Sequence, residues 1–258
     1  MTIKPVRIRD LVLGPGRPGI CIPIVGESEK EIVDQAIRIR SYPCDLAEFR
    51  ADWYEGVFDH DRHARLLCDL REALGERPLL YTFRTQAEGG KRDISYDSYR
   101  KLLLSVSRSQ MADMIDVEGF IHNNAADLVQ EIHALGLPVI LSYHDFDKTE
   151  SKDRLISRMK DLQDMGADLV KIAVMPRCKE DVKTLLAATL HMSEQEARVP
   201  LVTMSMSDLG RISRVCGEWT GSCMTFGSAG RSSAPGQIDA ADLNRLLDFF
   251  HLKDPLGA

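Results

Sequence analysis

The chain has 258 residues, 33 basic against 39 acidic side chains and a formal charge of −6. No basic stripe with interleaved aromatics accompanies that balance, which argues against a nucleic-acid or anionic-membrane partner. The length suits one α/β barrel of ordinary size, so residues 1–258 are expected to form a single domain.

The leading segment 3–18, punctuated by Gly14-Pro15-Gly16, reads as a hairpin. Short β-rich runs then alternate with helical stretches, at 19–25, 46–51, 78–84, 114–118, 138–144, 169–175, 200–206 and 223–227. Between them lie amphipathic segments at 29–39, 62–74, 98–106, 125–135, 153–165 and 181–190. Gly75, Gly136 and Gly166 follow three of these segments, where helices commonly end in a left-handed residue. Eight such units predict a (β/α)8 TIM barrel, with a doubly wound sheet as the other option and the hairpin covering the barrel floor. Cysteines at 21, 44, 68, 178, 216 and 223 form no Cys-x-x-Cys pair and have no histidine at ligand spacing. That points to reduced thiols in a cytoplasmic protein and to neither a zinc site nor a disulfide framework. The N-terminus shows no secretory apolar segment, and no apolar run approaches the roughly 18 residues of a membrane span.

Strand parity is the most informative pattern. Glu48, Arg50 and Asp52 alternate with Ala47, Phe49 and Ala51; Thr82 and Arg84 oppose Tyr81 and Phe83. Asp116 and Glu118 share a face, as do Ser142 and His144, and Lys171 opposes Val170, Ile172 and Val174. A half-exposed antiparallel sheet alternates in the same way. Helices following every strand favour a barrel instead, with the polar parity pointing inward and charges meeting at the catalytic mouth. In the apolar run 168–175 Lys171 has nothing obvious to pair with, which makes it a candidate for a lowered pKa and for Schiff-base chemistry.

An amine nucleophile needs a group that moves protons. His144 is the histidine placed on a strand's polar face; those at 60, 63, 122, 133, 191 and 251 fall in helices or loops and read as solvated or capping. Glu88 and Glu118 are both within reach to orient the imidazole. Arg50, Arg84 and Arg214 stand at or beyond strand ends, where a guanidinium takes a carboxylate through two parallel bonds. The small, hydroxyl-rich segment 227–237 follows the last strand, either as an ordinary loop or as a substrate lid.

With these residues assembled, the chain resembles type I 3-dehydroquinate dehydratase. The blocks that carry the resemblance are Leu46-Ala-Glu-Phe-Arg-Ala-Asp52, Tyr81-Thr-Phe-Arg84 with Glu88-Gly-Gly90, and Met114-Ile-Asp-Val-Glu118. Ser142-Tyr-His-Asp-Phe146, Lys171-Ile-Ala-Val-Met-Pro176, Thr203-Met-Ser-Met-Ser207 and Ser233-Ala-Pro-Gly-Gln237 follow in order. The resemblance implies dehydration of 3-dehydroquinate to 3-dehydroshikimate in the shikimate pathway, through an imine, with no metal or organic cofactor, and usually a homodimer. It puts the Schiff base on Lys171, the general acid/base on His144 and the orienting carboxylate on Glu88. It assigns substrate contacts to Glu48, Arg50, Arg84, Arg214, Ser233 and Gln237. Pro23 stands where relatives often have a serine, so a contact there is lost or passes to a neighbour such as Cys21. Two other readings are a lysine-imine aldolase or transaldolase, which Lys171 alone does not exclude, and a catalytically silent barrel acting as a metabolite-binding or interaction protein, which would lack one of Lys171, His144 and Glu88.

Overall fold

The computed structural model describes residues 3–121, 124–230 and 233–252. It opens with an antiparallel hairpin, β1 (Val6–Ile8) and β2 (Leu11–Leu13). Its turn is made at Arg9, with φ 52°, and not at the glycine–proline cluster, which follows the second strand.

Eight parallel strands then form the barrel: β3 (Gly19–Ile24), β4 (Leu46–Arg50), β5 (Leu79–Thr82), β6 (Met114–Glu118), β7 (Val139–Asp145), β8 (Leu169–Val174), β9 (Leu201–Ser205) and β10 (Met224–Ser228). Neighbours follow chain order from β3 to β9, and β10 pairs with β3. The ring closes between β9 and β10, where Leu201 bridges Ser222 and the Cys223 amide donates to the Leu201 carbonyl at 2.8 Å. A two-residue strand, β11 (Ile238–Asp239), lies along the end of β10.

The helices are α1 (Glu29–Arg38), α2 (His60–Leu74), α3 (Tyr96–Ser109), α4 (Ala125–His133), α5 (Lys152–Asp164), α6 (Lys179–His191), α7 (Gly217–Thr220) and α8 (Ala240–Phe250). Side chains of Ser28, Asp59, Ser95 and Ser151 accept the orphan amides that open α1, α2, α3 and α5. Gly75, Gly136 and Gly166 take φ of 58°, 83° and 96°, as their positions predict.

Alternation along the strands builds two cores. Outward residues such as Phe49, Tyr81, Ile115, Leu141 and Val170 pack with the apolar stripes of the helices. Inward residues at the strand starts, Cys21, Leu46, Leu80, Met114, Ile140 and Leu169, pack instead against Ile8 and Leu13 of the hairpin. The hairpin therefore seals the floor, and burying each such side chain is worth about 1.5–3 kcal/mol.

Two expectations need correction. His63 is neither solvated nor capping: it is 5% exposed, 3.2 Å from the Tyr81 hydroxyl, and burial pushes its imidazole down to about 4. The period of α2 carried the sign, since His63 stands three and four residues before buried Leu66 and Leu67. Helix α8 also escaped the sequence reading, although Ala240, Leu243 and Leu247 have helical spacing and are buried. His122 lies outside the described residues.

Candidate active site at the barrel mouth

One step up each strand from the floor, the inward parity turns polar. Leu46 is followed on its face by Glu48 and Arg50, Leu80 by Thr82 and Arg84, Met114 by Asp116 and Glu118, and Ile140 by Ser142 and His144. In β8 the sequence is Leu169, Lys171, Ala173, and the register sets Ser142, Lys171 and Val202 side by side. A cavity at this level is lined by Glu48, Arg50, Arg84, Glu88, His144 and Lys171, with Arg214, Ser233 and Gln237 completing its polar lining. All nine residues singled out from the sequence thus meet in one place. Phe146, Ala173, Met204, Met206 and Phe226 supply apolar wall that was not anticipated; the shared parity of Met204 in β9 and Met206 just beyond it was the available signal.

Lys171 is not the lone ammonium that its apolar run suggests. It is 4% exposed, and its Nζ lies 3.5 Å from both Glu48 Oε1 and Asp116 Oδ2, with the Phe226 ring centre at 4.3 Å. Glu48 also accepts the Thr82 hydroxyl at 3.0 Å. Asp116 Oδ1 accepts from Arg84 Nη2 and from the Ser142 hydroxyl, both at 2.7 Å. Its Oδ2 has no hydrogen-bond partner. Burial pushes the Asp116 carboxyl up, but Arg84, Lys171 and the Ser142 hydroxyl outweigh it and hold it below the usual range.

His144 Nδ1 is 2.8 Å from Glu88 Oε2. Glu118 is occupied elsewhere, accepting the Thr85 amide at 2.8 Å and Arg84 Nη1 at 3.1 Å, so the structure selects Glu88 of the two candidate carboxylates. Burial, then the charges of Arg84, Lys171 and Arg50, drive the His144 imidazole well below its ordinary value. Burial lifts the Glu88 carboxyl, and Arg84 Nη1 at 3.0 Å opposes that rise. Glu88 is placed by a tight turn. A Cβ on Gly89, at φ 82°, would meet the Phe146 ring at 2.3 Å, and one on Gly90 would meet the Arg84 carbonyl at 1.9 Å.

The three arginines differ sharply. Arg84 is 3% exposed and shared among Glu88, Asp116, Glu118 and Ser142. Arg50 makes a bidentate pair with Asp52 at 2.8 and 2.9 Å. Arg214, at the end of a 3-10 stretch (Asp208–Arg214), is 1% exposed, touches the Phe226 and Pro235 carbonyls at 3.4 and 3.0 Å, and has no carboxylate within reach among the described residues. Burial pushes it down to about 10, and its Nε has no hydrogen-bond partner. Of these three, Arg214 is the one whose charge is left for an incoming anion.

From segment 227–237, Ser233, Ala234 and Gln237 line the same cavity, and residues 231 and 232 lie outside the described residues. Gln237 Oε1 accepts the Ser233 amide at 2.9 Å and its Nε2 donates to the Ser233 hydroxyl at 3.0 Å. A Cβ on Gly236, at φ 78°, would meet the Ser207 carbonyl at 2.2 Å, so this glycine lets the segment lie against the end of β9. Pro23 does not line the cavity, and pairing of β3 with β10 stops at Cys21, before the proline's missing N–H matters. Cys21 belongs to the floor and does not replace a contact at the mouth.

A family model described as type I 3-dehydroquinase matches residues 20–254. The 3-dehydroquinate dehydratase of Clostridium novyi (strain NT) is 42% identical over 250 residues, spanning 96% of this chain and 99% of that one. That of Bacillus licheniformis is 44% identical over 249 residues, spanning 96% and 98%. The solved type I 3-dehydroquinate dehydratase of Clostridium difficile, with covalently modified comenic acid, superposes with a TM-score of 0.94 at 42% identity, covering 97% of this chain and 99% of that one. The Enterococcus faecalis 3-dehydroquinate dehydratase gives 0.90 at 38% identity, covering 96% and 100%. Matching in sequence and barrel over nearly its whole length, the chain belongs to the type I 3-dehydroquinase family, and it is a hydro-lyase.

Proposed function

We propose that the mouth converts 3-dehydroquinate to 3-dehydroshikimate through an imine on Lys171. The observation that carries this reading is a buried lysine sharing one cavity with a carboxylate-held histidine and with an arginine free of carboxylate partners. Lys171 adds to the C3 carbonyl and water leaves, forming a protonated imine. The imine withdraws electrons from C2, and neutral His144 takes the C2 proton through Nε2 while Glu88 holds Nδ1–H. The enamine then expels the C1 hydroxyl, which leaves as water with the proton returned by the imidazolium. Hydrolysis of the imine frees Lys171. Arg214 holds the substrate carboxylate, with Glu48, Arg50, Arg84, Ser233 and Gln237 as further contacts. The protonated imine is the electron sink, so the scheme requires no metal or organic cofactor.

The same reading takes residues 1–258 as one domain, assembled as a homodimer, which sedimentation would test. It places the protein in the cytoplasm, supported by six cysteines that are all unpaired. No helix among the described residues is long and apolar enough to cross a membrane. The deciding experiment couples absorbance of the conjugated product to borohydride reduction during turnover. An adduct mapped to Lys171 is expected; turnover without any adduct, or an adduct on another lysine, would overturn the assignment.

A further inference from the structure

Four buried carboxylates surround Lys171 and His144, and the scheme above gives two of them, Asp116 and Glu118, no task; Glu118 is taken up by the Thr85 amide and Arg84, which leaves Asp116. Asp116 is fully buried, and its two oxygens have unlike surroundings. Oδ1 is saturated by Arg84 Nη2 and the Ser142 hydroxyl. Oδ2 has no hydrogen-bond partner and lies 3.5 Å from Lys171 Nζ. Glu48 approaches Nζ equally closely, but the oxygen it presents already accepts from Thr82. A buried carboxylate oxygen left without a hydrogen bond beside the reacting nitrogen calls for a use.

We propose that Asp116 Oδ2 holds the proton that Lys171 sheds in order to attack the carbonyl, a role that rests on the imine reading of this site. The ammonium passes one proton to Oδ2, and the free amine's lone pair adds to the C3 carbonyl carbon. A proton shifts from nitrogen to the carbonyl oxygen, giving a carbinolamine. The carbinolamine hydroxyl then takes the proton stored on Asp116 and departs as water, leaving the protonated imine and the carboxylate. One proton is lent and returned, so the pair of nitrogen and carboxylate ends with the charges it began with. Arg84 and Ser142 keep the carboxylate ionised at rest. Lys171 is among the groups that hold it so, and its grip weakens as the ammonium is neutralised.

Asp116→Asn tests this directly, because the amide oxygen preserves the Oδ1 contacts while an NH2 replaces Oδ2. The readout is the single-turnover rate of borohydride-trapped adduct with 3-dehydroquinate, measured beside KM. Capture is expected to slow about 10²-fold or more, with the adduct still on Lys171 and KM little changed. In Asp116→Ala, added formate is expected to restore part of the rate, which a purely structural defect would not give. Equal capture rates in Asp116→Asn and the unmodified chain would overturn the proposal and leave the imine reading standing. If the unmodified chain itself traps no adduct, the imine reading falls and this role falls with it. Should the variants fail to fold, infrared difference spectra of the unmodified chain replace them. A protonated-carboxyl band that shifts with isotope-labelled aspartate should rise and decay during imine formation, and its absence would overturn the role.

Discussion

The two ends of the barrel are built from the same strands and differ by one step of the pleat. At the floor the inward residues are Leu46, Leu80, Met114, Ile140 and Leu169, closed by Ile8 and Leu13. One turn of the alternation higher they are Glu48, Thr82, Asp116, Ser142 and Lys171, and above those stand Arg50, Arg84, Glu118 and His144. The floor is stabilised by area removed from water. The mouth gathers charges whose removal from water costs free energy, offset where Arg84, Arg50 and Lys171 face carboxylates, while Arg214 has none among the described residues. Stability and chemistry are thus stacked along one axis, and substitutions at the two levels should separate them.

The largest effect is expected from Lys171→Ala, which should abolish turnover and leave no borohydride adduct by peptide mass mapping, since no other amine lies in the cavity lining described. His144→Ala should still be trapped on Lys171 while kcat falls ~10²–10⁴-fold in the product absorbance assay. In the unmodified chain, His144 is held well below an ordinary histidine, so the base stays unprotonated as pH falls. The acid limb of kcat/KM should therefore lie below about pH 6.5, and a limb centred at or above that value would contradict the site. At the other end, Leu13→Ala should cost about 2–5 kcal/mol by denaturant titration and leave kcat and KM unchanged below the unfolding transition. A loss of kcat there would mean that floor and mouth are not independent. The smallest effect belongs to Arg214→Lys: the charge is kept and the planar fork lost, so KM should rise by the equivalent of about 1–3 kcal/mol with kcat nearly preserved.

Much of this arrangement was legible in the sequence because period-two alternation is local. Each strand announces by itself which residues share a face, and strand order follows once helices intervene. That is why Lys171, His144 and the arginines could be placed on one parity. Partnership is not local. Glu48 and Asp116 reach Lys171 from strands distant in sequence, so the apolar neighbours of the lysine along the chain gave a false picture of isolation. The three arginines likewise look alike at strand ends, and only packing shows that Arg84 and Arg50 are already engaged while Arg214 is not. His63 was missed for a simpler reason: its polarity was weighed and its helical phase was not.

The barrel's seam joins its last two strands in a different way from the rest. Other neighbouring barrel strands share ladders of two to six residue pairs, whereas β9 and β10 meet through the single bridge from Leu201 to Ser222. On that side the β9 amides are held by side-chain hydroxyls instead of a backbone ladder: Thr203 N–H donates to Ser222 at 3.0 Å and Ser205 N–H to Ser213 at 2.9 Å. Beyond the bridge, β10 leads from Phe226 at the lysine into the segment that carries Ser233 and Gln237. The apolar wall that carries Met204 and Phe226 thus hangs on two serine hydroxyls at the seam, while the charged wall from β4 to β8 is held by a continuous backbone ladder.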